Sequence, residues 1–161
     1  MWSRRIRVDV RLVGLHAINN KDDVAVRGHM ELRAGQPLDL NRDPELFQDD
    51  DLAVNVIAAT GKWAGEQLGH VHTLMGAAVD GKNAAHYISA LMDGDDSRLP
   101  AGLSGLRGKL QFGGETLEKT THRPDGSKIA VYILFASGED SSLVAAVENY
   151  LRAARMAVQL V

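Results

Sequence analysis

Glu66, His70 and His86 are the residues of this chain whose types and spacing come nearest to a chemical site. Placed on a helix, Glu66 and His70 stand four apart and share a face. There a carboxylate and an imidazole can work as an acid/base couple or hold one metal ion together, with His86 as a third member from the next helix. A set of this kind would line a pocket between a sheet and its helices, as a small enzyme or ligand-binding protein requires. The neighbouring His70-x-His72 pair is weaker, because helical residues two apart diverge by about 200° and can share an ion only if the segment is extended. No His-Glu-x-x-His signature supports a metal site, and a Glu–His pair at this spacing also serves as an ordinary surface interaction. Neither a metal nor a cofactor is expected, and the chain reads more readily as a non-enzyme.

The remaining motifs are tested by their spacing. Gly61, Gly65 and Gly69 recur every fourth residue and would leave one helix face without side chains, allowing another backbone to approach closely. That face is either packed within the chain, broken into loops by its glycines, or the contact surface of a homo-oligomer. It is not a phosphate loop, since Gly-Lys-Ser/Thr and Gly-x-Gly-x-x-Gly are both missing. Asp93-Gly94-Asp95-Asp96-Ser97 begins like a calcium loop, but Arg98 stands where the sharp turn needs glycine and Ser104 where a bidentate glutamate is needed. Ser104 also lacks the Gly-x-Ser-x-Gly setting of a hydrolase nucleophile.

A basic strand offers a different chemistry. If Ile6, Val8, Val10 and Leu12 point inward, Arg5, Arg7 and Arg11 point outward, and a second strand would add Arg27, His29 and Arg33 to the same side, with Asp9 and Glu31 interspersed. Arginine forks suit phosphate and carboxylate. The face carries no aromatic residue for base stacking, which counts against nucleic acid and leaves an acidic protein, a second subunit or a solvated surface as the competing uses.

The elements that would position these residues follow from periodicity. Apolar residues alternate from Ile6 to Leu12 and again through Val24, Val26, Met30 and Leu32, with turn-forming Asn19-Asn20-Lys21-Asp22-Asp23 between, which predicts a hairpin over 4–34. Leu52, Val56, Ala59, Trp63, Leu68, Val71 and Met75 keep helical spacing after the acidic cap at Asp51, and a second helix runs from about Asn83, giving a helical middle over 50–92. A three-strand meander follows over 107–137, its first turn at Gly113-Gly114 and its last strand the wholly apolar Ile129 to Phe135. Leu143, Val147, Tyr150, Leu151, Ala154, Val158 and Val161 form one stripe of a helix over 141–161. The prediction is a single α+β domain over 1–161, an antiparallel sheet in ββααβββα order with helices mainly on one face.

Composition narrows the classes. With 161 residues, 45% hydrophobic, 24% charged and a net charge of −3, the chain has globular proportions and no surface wholly given over to polyanions. It has no cysteine, hence no disulfide or thiolate chemistry, as suits the cytoplasm. The charged start Met1-Trp2-Ser3-Arg4-Arg5 leads into alternation instead of an apolar signal core, and no run approaches the roughly eighteen apolar residues of a membrane span. The sequence thus favours a non-catalytic protein–protein assembly domain, homo-oligomeric through the Gly61, Gly65, Gly69 face and the apolar end Ala157-Val158-Gln159-Leu160-Val161. The pocket at Glu66, His70 and His86 and a nucleic-acid surface on the arginine face are its alternatives.

Overall fold

A computed structural model describes residues 1–13, 33–43, 52–73, 83–118, 128–138 and 141–161. Its elements are β1 (Trp2–Val13), β2 (Pro37–Asn41), β3 (Asn55–Ala58), β4 (Gln67–Thr73), α1 (Ala84–Asp93), a short 3-10 turn (Ala101–Leu103), β5 (Leu110–Glu118), β6 (Lys128–Ala136), α2 (Ser141–Ala153) and β7 (Ala157–Leu160). The seven strands form one antiparallel sheet in the order β4-β3-β2-β5-β6-β1-β7. Fold class therefore agrees with expectation at the level of an antiparallel, sheet-dominated α+β protein, with two helices among the described residues.

The sheet closes on itself. Along one edge β1 pairs with β6 from Trp2 to Arg11; along the other, Ile6 to Asp9 pair with β7 while Val10 to Val13 pair with β4. Six strands thus return to their starting point, and β7 continues the sheet beside the middle of β1. Alternation explains the inside of this barrel: Ile6, Val8, Val10 and Leu12 of β1 and Ile129, Val131, Ile133 and Phe135 of β6 are all buried in one hydrophobic cluster with Leu38, Val56 and Leu68. Barrels of about eight strands are just wide enough for side chains to fill, and among the described residues the inward-facing side chains of these six strands pack into one core.

Each helix has a local cause. Asn83 caps α1 by accepting from the Ala85 amide at 2.9 Å, and the His86 side chain returns the favour by accepting from the Asn83 amide at 3.0 Å, a capping box with histidine in place of glutamate. The helix ends at Gly94 in the left-handed conformation, where a Cβ would also lie 2.8 Å from the Arg107 backbone. In α2, Val144, Val147 and Leu151 make the buried stripe. The helix α1 meets β4 and β5, whereas α2 meets β7, β1 and the 3-10 turn. The helices thus serve different strands instead of sharing one face of an open sheet.

Three segments depart from the sequence expectation. The long helix expected after Asp51 is the hairpin β3–β4. Val54, Val56 and Ala58 alternate into the core, β-branched residues favour strand, and Gly61 and Gly65, at φ of 86° and 88°, make the turn between them. This is the outcome in which the glycines break the region. The meander has two strands, not three: Gly113-Gly114 lies inside β5, where a Cβ on Gly114 would meet the Ala130 carbonyl oxygen at 2.8 Å. The final helix stops at Ala153, Arg155 turns the chain with φ of 60°, and Val158, expected on the helical stripe, is the buried residue of β7. The second strand of the N-terminal hairpin, with Arg27 and His29, lies outside the described residues, and so does Met75.

Candidate functional site

The outer surface of β1, β6 and β5 gathers the charged and aromatic residues with the strongest potential for recognition. Because Ile6, Val8 and Val10 face the core, Arg7 and Asp9 point away from it, as does the exposed Arg11; on β6 the same alternation turns Lys128, Ala130, Tyr132 and Leu134 to that side, where Asp9, Ala130 and Tyr132 are buried beneath their neighbours, Tyr132 at 6% exposure. Arg4 precedes a β-bulge against β6 and stands opposite Leu134, and Arg5 occupies the bulge. The Arg4 guanidinium lies 4.3 Å from the centroid of the Tyr132 ring. Opposite Tyr132 on β5 is Gly113, where a Cβ would meet nothing within 4 Å. The arginine-covered ring therefore borders an open step in the sheet surface.

Hydrogen bonds fix this face. Arg7 donates through Nε to Asp9 Oδ1 at 2.7 Å and through Nη2 to Oδ2 at 3.2 Å, and the bond to Asp9 raises the Arg7 pKa. Lys128 Nζ approaches Asp9 Oδ2 at 3.9 Å. The Tyr132 hydroxyl donates to Glu115 Oε1, and burial first, then this carboxylate, raises the phenol's pKa. Arg4, Arg7, Arg11 and Lys128 stand here against Asp9 and Glu115, so the face is positive on a chain whose net charge is −3. Alternation in the sequence puts Arg5, Arg7 and Arg11 on this face; the bulge takes up Arg5 and sets Arg4 over Tyr132 instead, and Tyr132 itself is not foreseen because the expected neighbour of β1 is the run at Val24 to Leu32. The signal was present in β6 itself, where Tyr132 falls on the alternate positions to Ile129, Val131, Ile133 and Phe135. Arg33 is not beside β1: it precedes β2, separated from β1 by β5 and β6.

The predicted Glu66, His70 and His86 set is not assembled on helices. Glu66 closes the β3–β4 turn, its amide donating to the Trp63 carbonyl at 2.9 Å, and His70 is a buried residue of β4 paired with Asn55. His70 belongs to a row of amides: Gln67 Nε2 lies 3.1 Å from Asn55 Oδ1 and 3.3 Å from His70 Nε2, and Asn55 Nδ2 donates to Asn41 Oδ1 at 3.1 Å and to the Asp43 carbonyl at 3.0 Å. An amide NH2 only donates, so His70 Nε2 accepts and its proton sits on Nδ1. The Nε2 lone pair is spent on structure. His86 has its own place, in the capping box of α1. Segment 67–73 is extended, yet among the described residues no three His, Cys, Asp or Glu side chains come together to hold a metal.

Gly61, Gly65 and Gly69 do not form a stripe either. The first two are in the turn, and Gly69 lies in β4 opposite Val56, where the β3–β4 register shifts. In the 93–98 segment, Asp95 accepts from Ser97 Oγ at 2.7 Å and from the Ser97 amide at 3.0 Å, which lowers its pKa, while Asp93 accepts two bonds from Arg42 at 3.1 and 3.0 Å. No described helix is long and apolar enough to cross a membrane.

No protein-family model matches the chain, and no curated protein matches it. Among solved structures, the chain is similar to a protein from Lactobacillus plantarum, with 17% identity and a TM-score of 0.53 over 84% of this chain and 100% of the other. It is also similar to the HIRAN domain of human HLTF, with 15% identity and a TM-score of 0.53 over 91% of this chain and 87% of that domain. At these identities the likeness is one of fold.

Proposed function

We propose that the protein binds single-stranded nucleic acid across the outer face of β1 and β6. The observation that carries this reading is the Arg4 guanidinium stacked on Tyr132, within a row of cations and beside the open step at Gly113. Cations alone attract any polyanion; the exposed Arg4 guanidinium plane, backed by the buried Tyr132 ring, adds a stacking partner for a base. The missing aromatic, which weighed against this use of the arginine face, is supplied by β6. The assembly reading lacks the glycine-lined helix on which it depended, and the catalytic reading lacks its convergent set.

The test is titration of a fluorescent oligothymidylate at about 50 and 200 mM salt, a range over which phosphate contacts lose affinity steeply. Binding should fall with salt, and the double variant Arg4→Gln with Arg11→Gln should weaken it about tenfold or more and lower the salt slope by roughly 2. Binding indifferent to salt, or a double variant with wild-type affinity, would sink the proposal. A stronger preference for duplex than for single strand would reject the stacking part of it.

A further inference from the structure

A cleft between the helices uses none of the residues of the β1–β6 face. It measures about 560 Å³ and is bounded by Leu52, His86, Tyr87, Arg98, Pro100 and Tyr150. That volume falls within the range of about 300–1,000 Å³ typical of small-molecule sites. Its walls are largely apolar and aromatic. The Tyr87 and Tyr150 rings meet edge-on at 5.7 Å between centroids and 67° between planes, and the Tyr150 hydroxyl donates to the Tyr87 carbonyl at 3.3 Å, fixing one wall to the other.

The polar side chains of this cleft are Arg98, His86 and Ser97, and the one full charge among them is the Arg98 guanidinium. Arg98 is held by Nη2, which donates to the His86 carbonyl at 2.7 Å and to Ser89 Oγ at 2.5 Å. Its nearest carboxylate among the described residues, Asp93, is 3.5 Å from Nη1 and is engaged more closely by Arg42. The Arg98 charge is therefore weakly compensated, and its side chain is 24% exposed. His86 Nδ1 is occupied at the cap, 3.0 Å from the Asn83 amide and 3.1 Å from Asn83 Oδ1, and the residue lines the cleft beside Arg98. A pre-positioned guanidinium, an imidazole and two tyrosine rings form a constellation that suits a flat body ending in an anion.

We propose that this cleft binds a small aromatic carboxylate, its carboxylate on Arg98 and His86 and its ring against Tyr87 and Tyr150. The experiment is a two-dimensional NMR titration of the whole protein with 2-naphthoate and, in parallel, with the uncharged 2-naphthamide. Saturable shifts centred on His86, Tyr87, Arg98 and Tyr150 are expected for naphthoate, with naphthamide about tenfold weaker, the worth of a charge-assisted pair. Tyr87→Leu, which retains the carbonyl that accepts from Tyr150, should weaken naphthoate severalfold in a folded protein. Arg98→Gln should abolish the difference between the two probes; because Arg98 also ties down α1, the comparison of the two probes on the unaltered protein decides the matter if that variant does not fold. The proposal is overturned by an absence of saturable shifts at these residues, by equal affinity for acid and amide, or by shifts confined to the β1–β6 face. Loss of oligonucleotide binding in the Arg4 and Arg11 variants would leave this result untouched, so the two sites fail or stand separately.

Discussion

Two polar regions of this barrel put hydrogen-bonding groups to opposite uses. On β1, β6 and β5 the cations are exposed or half-buried: Arg4 and Arg11 reach solvent and Arg7 is paired with Asp9, over an Asp9 carboxylate and a Tyr132 ring that are themselves buried. On β2, β3 and β4 they are uncharged amides with an imidazole, and Asn55, Gln67 and His70 are almost wholly buried, at 1%, 5% and 6% exposure. The buried row must satisfy every partner internally, because an unmet buried donor or acceptor costs about 1–3 kcal/mol. The charged face can leave capacity unused, since water meets it until a ligand does. Of the two, the row that looked like a site by residue type, because it contains His70, is the one whose lone pairs are spent on holding strands together.

The sharpest way to break this contrast is at Asn55. Asn55→Ala removes two donations and one acceptance and leaves Gln67 and the Asp43 carbonyl short of partners. It should lower unfolding free energy by about 3 kcal/mol in urea titrations. The Arg4 and Arg11 double substitution should change stability by no more than about 0.5 kcal/mol, as surface changes do, while it reduces oligonucleotide binding. If the arginine variant proves the more destabilised of the two, the division between holding and recognising is wrong.

What was legible in the sequence divides along physical lines. The strand β1 could be read from its period of two, because one face is buried throughout, and β6 from an unbroken apolar run bounded by turn residues, because a central strand is covered on both sides. So could α1, since Asn83 and Gly94 are local signals that act within one turn. The β3–β4 hairpin was misread because Leu52, Val56, Ala59 and Trp63 satisfy a helical period while Val54, Val56 and Ala58 satisfy an alternating one. The choice is made by pairing with β2 and β1, which no local pattern contains. Gly113-Gly114 looked like a turn for a similar reason: glycine marks both turns and close strand approach, and only the Ala130 carbonyl opposite tells which. The candidate site was half visible. Arg7 and Arg11 could be placed on one face from alternation, but Tyr132 joins them only through the β1–β6 register.

Tyr132 offers a finer cut through the charged face, because its ring and its hydroxyl do different things there. Tyr132→Phe keeps the ring under Arg4 and loses the donation to Glu115. It should cost about 1 kcal/mol of stability or less and leave oligonucleotide affinity within about twofold. Tyr132→Ala removes the ring on which Arg4 lies and should weaken binding severalfold beyond any loss of folded protein, because the guanidinium plane loses its backing. Equal affinities for the two variants would mean that the ring has no part in presenting Arg4.

The remaining effect lies at the helices and is visible only in alkali. Burial pushes the Tyr150 phenol up to about 12, with the charge of Arg98 pulling the other way. The fold thus favours the neutral phenol, and an unfolded chain ionises it at its ordinary value near 10. Its contribution to stability is whole below about pH 10 and drains away as pH climbs towards about 12. Tyr150→Phe has no phenol to ionise there. Urea unfolding of both proteins across pH 8 to 12 should therefore show a gap in favour of the wild type that is constant up to about pH 10 and then narrows, with the other tyrosines and the lysines cancelling in the difference. Curves that stay parallel would mean that the Tyr150 hydroxyl, despite its bond to the Tyr87 carbonyl, meets solvent as freely in the folded protein as in the unfolded chain. The wall that it forms with Tyr87 would then be too loose to hold a flat ligand.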